Sequence, residues 1–127
     1  MKEVIKTDKA PQAIGPYSQA IKMSGSKMLF ISGQIPLNPE TMKIEGETAA
    51  EQCKLVMENL GQILKTADCD YANVVKTTIF LADMNDFAAV NEVYGGYFKE
   101  NPPARATVQV GRLPLDVKVE IEAIAVL

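Results

Sequence analysis

The chain has 127 residues, 47% of them hydrophobic and 23% charged, with a formal net charge of −3 and no histidine. That length suits one domain with its own core, expected here over residues 1–127. The lack of histidine removes Ser–His and Cys–His catalysis in their usual forms and the commonest zinc sites. No window concentrates Lys or Arg as nucleic-acid binders do, and no apolar run approaches the ~18 residues that span a bilayer.

The polar start MKEVIKTDKAPQ has no signal-peptide apolar region, so a cytoplasmic protein is expected. APQAIGPYSQAI, with Pro11, Gly15 and Pro16, reads as irregular chain turning into a strand near Tyr17. AIKM and KMLFIS flank SGS, which predicts a β-hairpin over roughly residues 19–33. GQIPLNPETMKIEG, carrying two prolines and two glycines, is a long loop. Over residues 48–67, Cys53, Val56, Leu60, Ile63, Leu64 and Ala67 recur at helical spacing, and Thr48 with Glu51 makes a capping-box pattern. Gly61 weakens this helix without breaking the pattern. Cys53 falls on the apolar stripe as a small hydrophobe, and with Cys69 in an unsecreted chain it implies no disulfide.

NVVKTTIFLAD, residues 73–83, is dense in β-branched side chains and reads as a strand. Asp83 or Asn85 then caps a second helix, DFAAVNEVYGGYFKE, with Phe87, Val90, Tyr94 and Tyr97 as its inner stripe. ARATVQV and DVKVEIEAIAV are two more strands joined by GRLPL. Alternation puts Val119, Ile121, Ala123 and Ala125 on one face of the last strand and Lys118, Glu120 and Glu122 on the other. In the strand before it, Ala106, Val108 and Val110 oppose Arg105, Thr107 and Gln109. The predicted class is α+β: a mixed sheet with two helices on one face. The other face is expected to carry Arg105, Thr107, Glu120 and Glu122 together, half-polar and covered by a second subunit.

The two arginines, Arg105 and Arg112, both lie in NPPARATVQVGRLP. Arg105 has two readings: an ion pair with Glu120 or Glu122, or a bidentate receptor for a carboxylate or phosphate, which the planar guanidinium suits as lysine does not. Glu120 either pairs with it or orients a water as general base. Tyr17 reads as a packed core ring or a cleft residue. Ser32 and Gly33 read as a bulge or turn, or as a close approach of backbone to ligand. Asn91 reads as a surface residue of its helix or a local cap.

AIGPYSQA, FISGQIPLNP, VVKTTIFLADMNDFAAVNEVY and above all PPARATVQVGRLPLDVKVEIEAIAV closely resemble the reactive-intermediate imine deaminases, the RidA or YjgF family. The resemblance runs nearly end to end. It implies a homotrimer of chorismate-mutase-like subunits whose sheets form a central barrel, with three intersubunit clefts. The implied activity is hydrolysis of 2-aminoacrylate and 2-iminobutyrate to 2-keto acids and ammonia, with no cofactor and no metal. It assigns Arg105 to the substrate carboxylate, Glu120 to the attacking water, and Tyr17, Gly33, Asn91 and the Thr107 backbone to the cleft. Many deaminating members have cysteine where this chain has Thr107. A non-catalytic 2-keto-acid-binding or regulatory protein using the same cleft is the alternative. A ribonuclease, the role attached to some relatives, fits poorly with negative charge and absent histidine.

Overall fold

Thr48 opens the longest element in the way its spacing indicates. Its hydroxyl accepts from the Glu51 N–H at 3.1 Å and donates to the Glu51 carboxylate at 3.2 Å, satisfying a donor that a helix start leaves open. The computed structural model describes residues 2–10, 12–25 and 27–127, so Met1, Pro11 and Ser26 lie outside the description. Along the described residues the order is β1 (Lys2–Ile5), β2 (Ala20–Met23), β3 (Met28–Gln34), α1 (Ala49–Thr66), β4 (Val74–Leu81), α2 (Phe87–Gly95), β5 (Ala104–Gln109) and β6 (Val119–Val126).

The main sheet is mixed, in the order β3-β6-β4-β5, with β4 and β5 parallel across α2 and the other pairs antiparallel. Both helices pack on one face. Cys53, Val56, Met57, Leu60 and Leu64 of α1 and Val90 and Tyr94 of α2 join Ile79, Leu81, Val119, Ile121, Ala123 and Ala125 in one buried cluster. The α+β expectation holds. Gly61, read from sequence as a weakness, makes room for Tyr71: a Cβ there would lie 2.3 Å from the Tyr71 hydroxyl, which donates to the Met57 carbonyl at 2.7 Å.

Three local expectations change. The hairpin over 19–33 does not form: β2 pairs with β1, Lys2 facing Met23, while β3 pairs with β6. The polar opening supplies the missing strand because the Lys2 ammonium holds it down, donating to the carbonyls of Asn101 (2.8 Å), Val74 (3.0 Å) and Ala72 (3.4 Å). Neither Asp83 nor Asn85 caps α2, whose N-cap is Asp86 without a side-chain hydrogen bond; Asp83 instead accepts from the Asn85 N–H at 2.9 Å and opens a 3-10 turn over Met84–Asp86 that leads into α2. Tyr97 sits beyond the end of α2 yet still packs on the core.

The fourth change matters most. Thr77 of β4 aligns with both Arg105 and Ala123, and Ile79 with both Thr107 and Ile121, whereas Phe80 aligns with Val108 and Glu120. Arg105 and Thr107 therefore lie on the helix side of the sheet and Glu120 and Glu122 on the opposite side, correcting the expectation that the four share a face. The error came from taking Ala106 and Val108 as core residues. At the edge strand β5 the helix side opens into a cavity instead, and the apolar residues face outward: Val108 is 42% exposed, beside an open face that also bears Phe30 at 69% and Met28 at 57%. Among the described residues no helix is long and apolar enough to cross a membrane.

Candidate active site

Arg105 is held by three elements. Its own strand projects it toward α2, where Nη1 donates to Asn91 Oδ1 at 2.6 Å. Phe87, Asn91 and Tyr94 are spaced four and three residues apart, which places them on one helix face, and the two rings approach the guanidinium carbon to 5.6 and 5.1 Å. The third ring comes from the N-terminal segment. The Ser18 N–H donates to the Pro103 carbonyl at 3.0 Å, and Ser18 forms a parallel bridge to Ala104. That contact fixes Tyr17 beside Arg105, with its ring centre 5.3 Å from the guanidinium carbon.

The guanidinium is thus half-buried among aromatic faces, which favour a cation, and among the described residues it has no carboxylate partner. Arg112 has one: Nε and Nη2 reach Asp116 at 2.6 and 3.0 Å on the exposed loop. The two arginines of one sequence window therefore have opposite fates, and the ion-pair reading fails for Arg105. Burial pulls its pKa below the ordinary value, while Tyr94 and Tyr17 oppose the shift. A buried cation without a counter-charge is costly unless an anion arrives. Beneath it, the Tyr94 hydroxyl shares a hydrogen bond of 2.7 Å with Thr77 Oγ1, and burial pushes the phenol up to about 12.

A cavity of about 360 Å³ opens beside this group, lined by Ile14, Gly15, Tyr17, Met84, Phe87, Asn91, Arg105 and Thr107. Four predicted site residues, Tyr17, Asn91, Arg105 and Thr107, meet here. Glu120 and Gly33 do not. They meet each other on the opposite face, where β3 carries a bulge between Ile31 and Gln34. A Cβ on Gly33 would stand 2.0 Å from Glu120 Oε2, so the glycine is there to let the carboxylate lie against the backbone. Burial raises the Glu120 pKa and the neighbouring Glu122 charge raises it further. Phe87, Tyr94 and Gly15 were not expected as site residues. Their signal was the spacing of Phe87 and Tyr94 around Asn91, masked because an aromatic stripe on a helix reads first as core. Among the described residues no three His, Cys, Asp or Glu side chains group as a metal site.

Asn91→Asp puts a carboxylate against Nη1 with the shape unchanged. The resulting pair competes with any incoming carboxylate, so 2-oxobutanoate should bind about 30- to 100-fold more weakly. Titration calorimetry on the folded variant measures this; unchanged affinity would show that Arg105 is not the receptor.

Residues 7–127 match the family model described as endoribonuclease L-PSP. The chain is 56% identical over 126 residues to protein DfrA of Myxococcus xanthus, covering 98% of this chain and 95% of that one. It is 51% identical over 126 residues to the human 2-iminobutanoate/2-iminopropanoate deaminase, covering 99% and 90%. Among solved structures it is similar to RidA from the Antarctic bacterium Psychrobacter sp. PAMC 21119, with TM-score 0.76, 43% identity and coverage of 98% and 99%. It is also similar to E. coli TdcF with bound serine, with TM-score 0.75, 44% identity and 98% of each chain covered. On sequence and on fold alike, the chain belongs to the YjgF/RidA family.

Proposed function

We propose that this protein hydrolyses 2-imino and enamine acids such as 2-aminoacrylate and 2-iminobutyrate to 2-keto acids and ammonia, in clefts between the subunits of a homotrimer. The observation that carries the reading is Arg105, a half-buried guanidinium ringed by three aromatic side chains and, among the described residues, without a carboxylate partner, at a cavity sized for a small acid. The human relative named for this activity and the serine recorded in TdcF, an amino acid with the same carboxylate and two-carbon frame, support it.

Arg105 fixes the carboxylate through its remaining donors and leaves C2 over the cavity. The imine carbon is already electrophilic. Presenting a water to it at the right distance supplies several kcal/mol of the barrier. Water oxygen bonds to C2 as Glu120 takes one of its protons; Glu120 returns that proton to the nitrogen, the new hydroxyl gives up its own to the nitrogen as the C–N bond breaks, and ammonia leaves as the C2 carbonyl forms. No cofactor is needed. Because Glu120 lies on the far face from Arg105 in one chain, the reading requires Glu120 from a neighbouring copy. The open apolar face around Phe30 and Val108 is the surface on which that copy packs. Subunits of this kind closing three sheets into a central barrel, as in chorismate mutase, bury it.

The endoribonuclease of the family model's description fits this cavity less well. The side chain that brings charge to it is a single guanidinium walled by rings, which suits one small carboxylate and not a polyanion. The test couples a serine/threonine dehydratase to a semicarbazide trap for free imine. Wild-type protein should divert the imine to keto acid. Binding of keto acid with no diversion would make the protein a metabolite-binding one.

The pH profile follows from Glu120. As a base it acts deprotonated, and its pKa is raised, so turnover falls with falling pH from a point above the ordinary carboxylate range. Glu122→Gln removes the neighbouring negative charge and lowers that pKa. The acid limb of kcat against pH should move to lower pH; an unmoved limb would mean that another group sets it.

A further inference from the structure

Ile14 is 92% exposed and Met84 39%, and both line the cavity that holds Arg105. One exposed apolar side chain is ordinary on a surface, but two on the rim of one cavity above a half-buried charge make a wall for a ligand. The N-terminal segment passes from the charged end of the cavity to its mouth. A Cβ on Gly15 would stand 3.5 Å from both Arg105 Nη2 and Asn91 Nδ2, which puts Gly15 over the guanidinium. Ile14 is the next residue outward, tied down by its N–H, which donates to the Tyr17 hydroxyl at 3.4 Å. A second wall comes from α2 and the turn before it. Met84, Phe87 and Asn91, spaced three and four residues apart, climb one face: Asn91 at the guanidinium, Phe87 about 6 Å further out, and Met84 a turn beyond. The Met84 N–H donates to Gln109 Oε1 at 2.7 Å, which fixes that residue against β5. Cavities of about 300 Å³ and more hold drug-sized ligands, so one of about 360 Å³ exceeds what a four-carbon acid fills.

We infer that Ile14, Met84 and Phe87 form a subsite for the substrate's side chain and make the protein favour 2-imino acids with longer aliphatic side chains over 2-iminobutyrate. This rests on the deaminase reading above and narrows its substrate. With the carboxylate on Arg105, and C2 left to the water and the departing nitrogen, the side chain runs away from the charge. These three apolar groups stand there. Each methylene fully buried against them is worth about fourfold in affinity. The donors at the Arg105 end gain nothing from added length, so a trend with chain length reports on the apolar wall alone.

Titration calorimetry with 2-oxobutanoate, 2-oxopentanoate and 2-oxohexanoate, the product series, reads that trend. Wild-type protein should bind 2-oxohexanoate about tenfold more tightly than 2-oxobutanoate, and in the double variant Ile14→Ala, Met84→Ala that preference should fall below about threefold. Both side chains are exposed and both residues are anchored through backbone N–H groups, so the variant keeps its fold. The semicarbazide-trap assay runs beside the titrations. Where wild type diverts imine, affinity that is flat along the series, or a preference that survives the double substitution, overturns the subsite alone. A wild type that diverts no imine overturns the deaminase reading and the substrate claim with it. A double variant that loses assembly on sedimentation makes Ile14 and Met84 subunit contacts, which also overturns the subsite.

Discussion

Arg105→Ala lowers kcat/KM for 2-iminobutyrate by on the order of 10³, since two charge-assisted hydrogen bonds at about 1.5–3 kcal/mol each are removed. Arg105→Lys recovers little of this. Its point charge cannot reproduce the planar fork, nor hold the Asn91 contact at 2.6 Å while serving a carboxylate. The fold should not suffer. Among the described residues no carboxylate pairs with the half-buried guanidinium, so its removal relieves a desolvation cost, and the Ala variant should melt at or above the wild-type Tm. The pairing of lost activity with undiminished stability marks a binding group. A fall in Tm matching the fall in activity would mark Arg105 as structural.

Glu120→Gln is the second large effect. It keeps shape and hydrogen bonding and removes the base, so kcat should drop about 10²- to 10⁴-fold while KM changes little. Gly33→Ala should reproduce much of that loss by another route. Its Cβ, 2.0 Å from Glu120 Oε2, forces the carboxylate off the backbone of the β3 bulge, and a flexible side chain yields more readily than the strand. Steady-state kinetics on both variants, with sedimentation to confirm unchanged assembly, measure this. Full activity in Glu120→Gln would remove the glutamate from the mechanism.

The strong periodicities were legible. Helix α1, its Thr48 cap, strand β4 and the alternation of β6 follow from side chains whose pattern admits one answer. Pairing was not. KMLFIS finds its partner in β6, nearly a hundred residues away, and nothing local to SGS distinguishes that from a hairpin. The site was half legible. Arg105 stood out as an arginine on a strand, and the family motif located Glu120, but the faces were assigned by taking apolar as inward. That rule fails at β5, where the inward face opens into a cavity and the outward one carries the exposed Val108. The correction changes the proposed chemistry, because on that reading the receptor and the base come from two chains.

Mixed assemblies of the proposed trimer test that division most directly. Arg105→Ala and Glu120→Gln chains, each nearly inactive, are co-expressed with different tags, and assemblies carrying both tags are isolated. If each cleft takes Arg105 from one chain and Glu120 from the next, every trimer carrying both tags has one of its three clefts with both groups intact, and turnover should return to about a third of wild type. Mixed assemblies no more active than either parent would contradict a cleft shared between subunits.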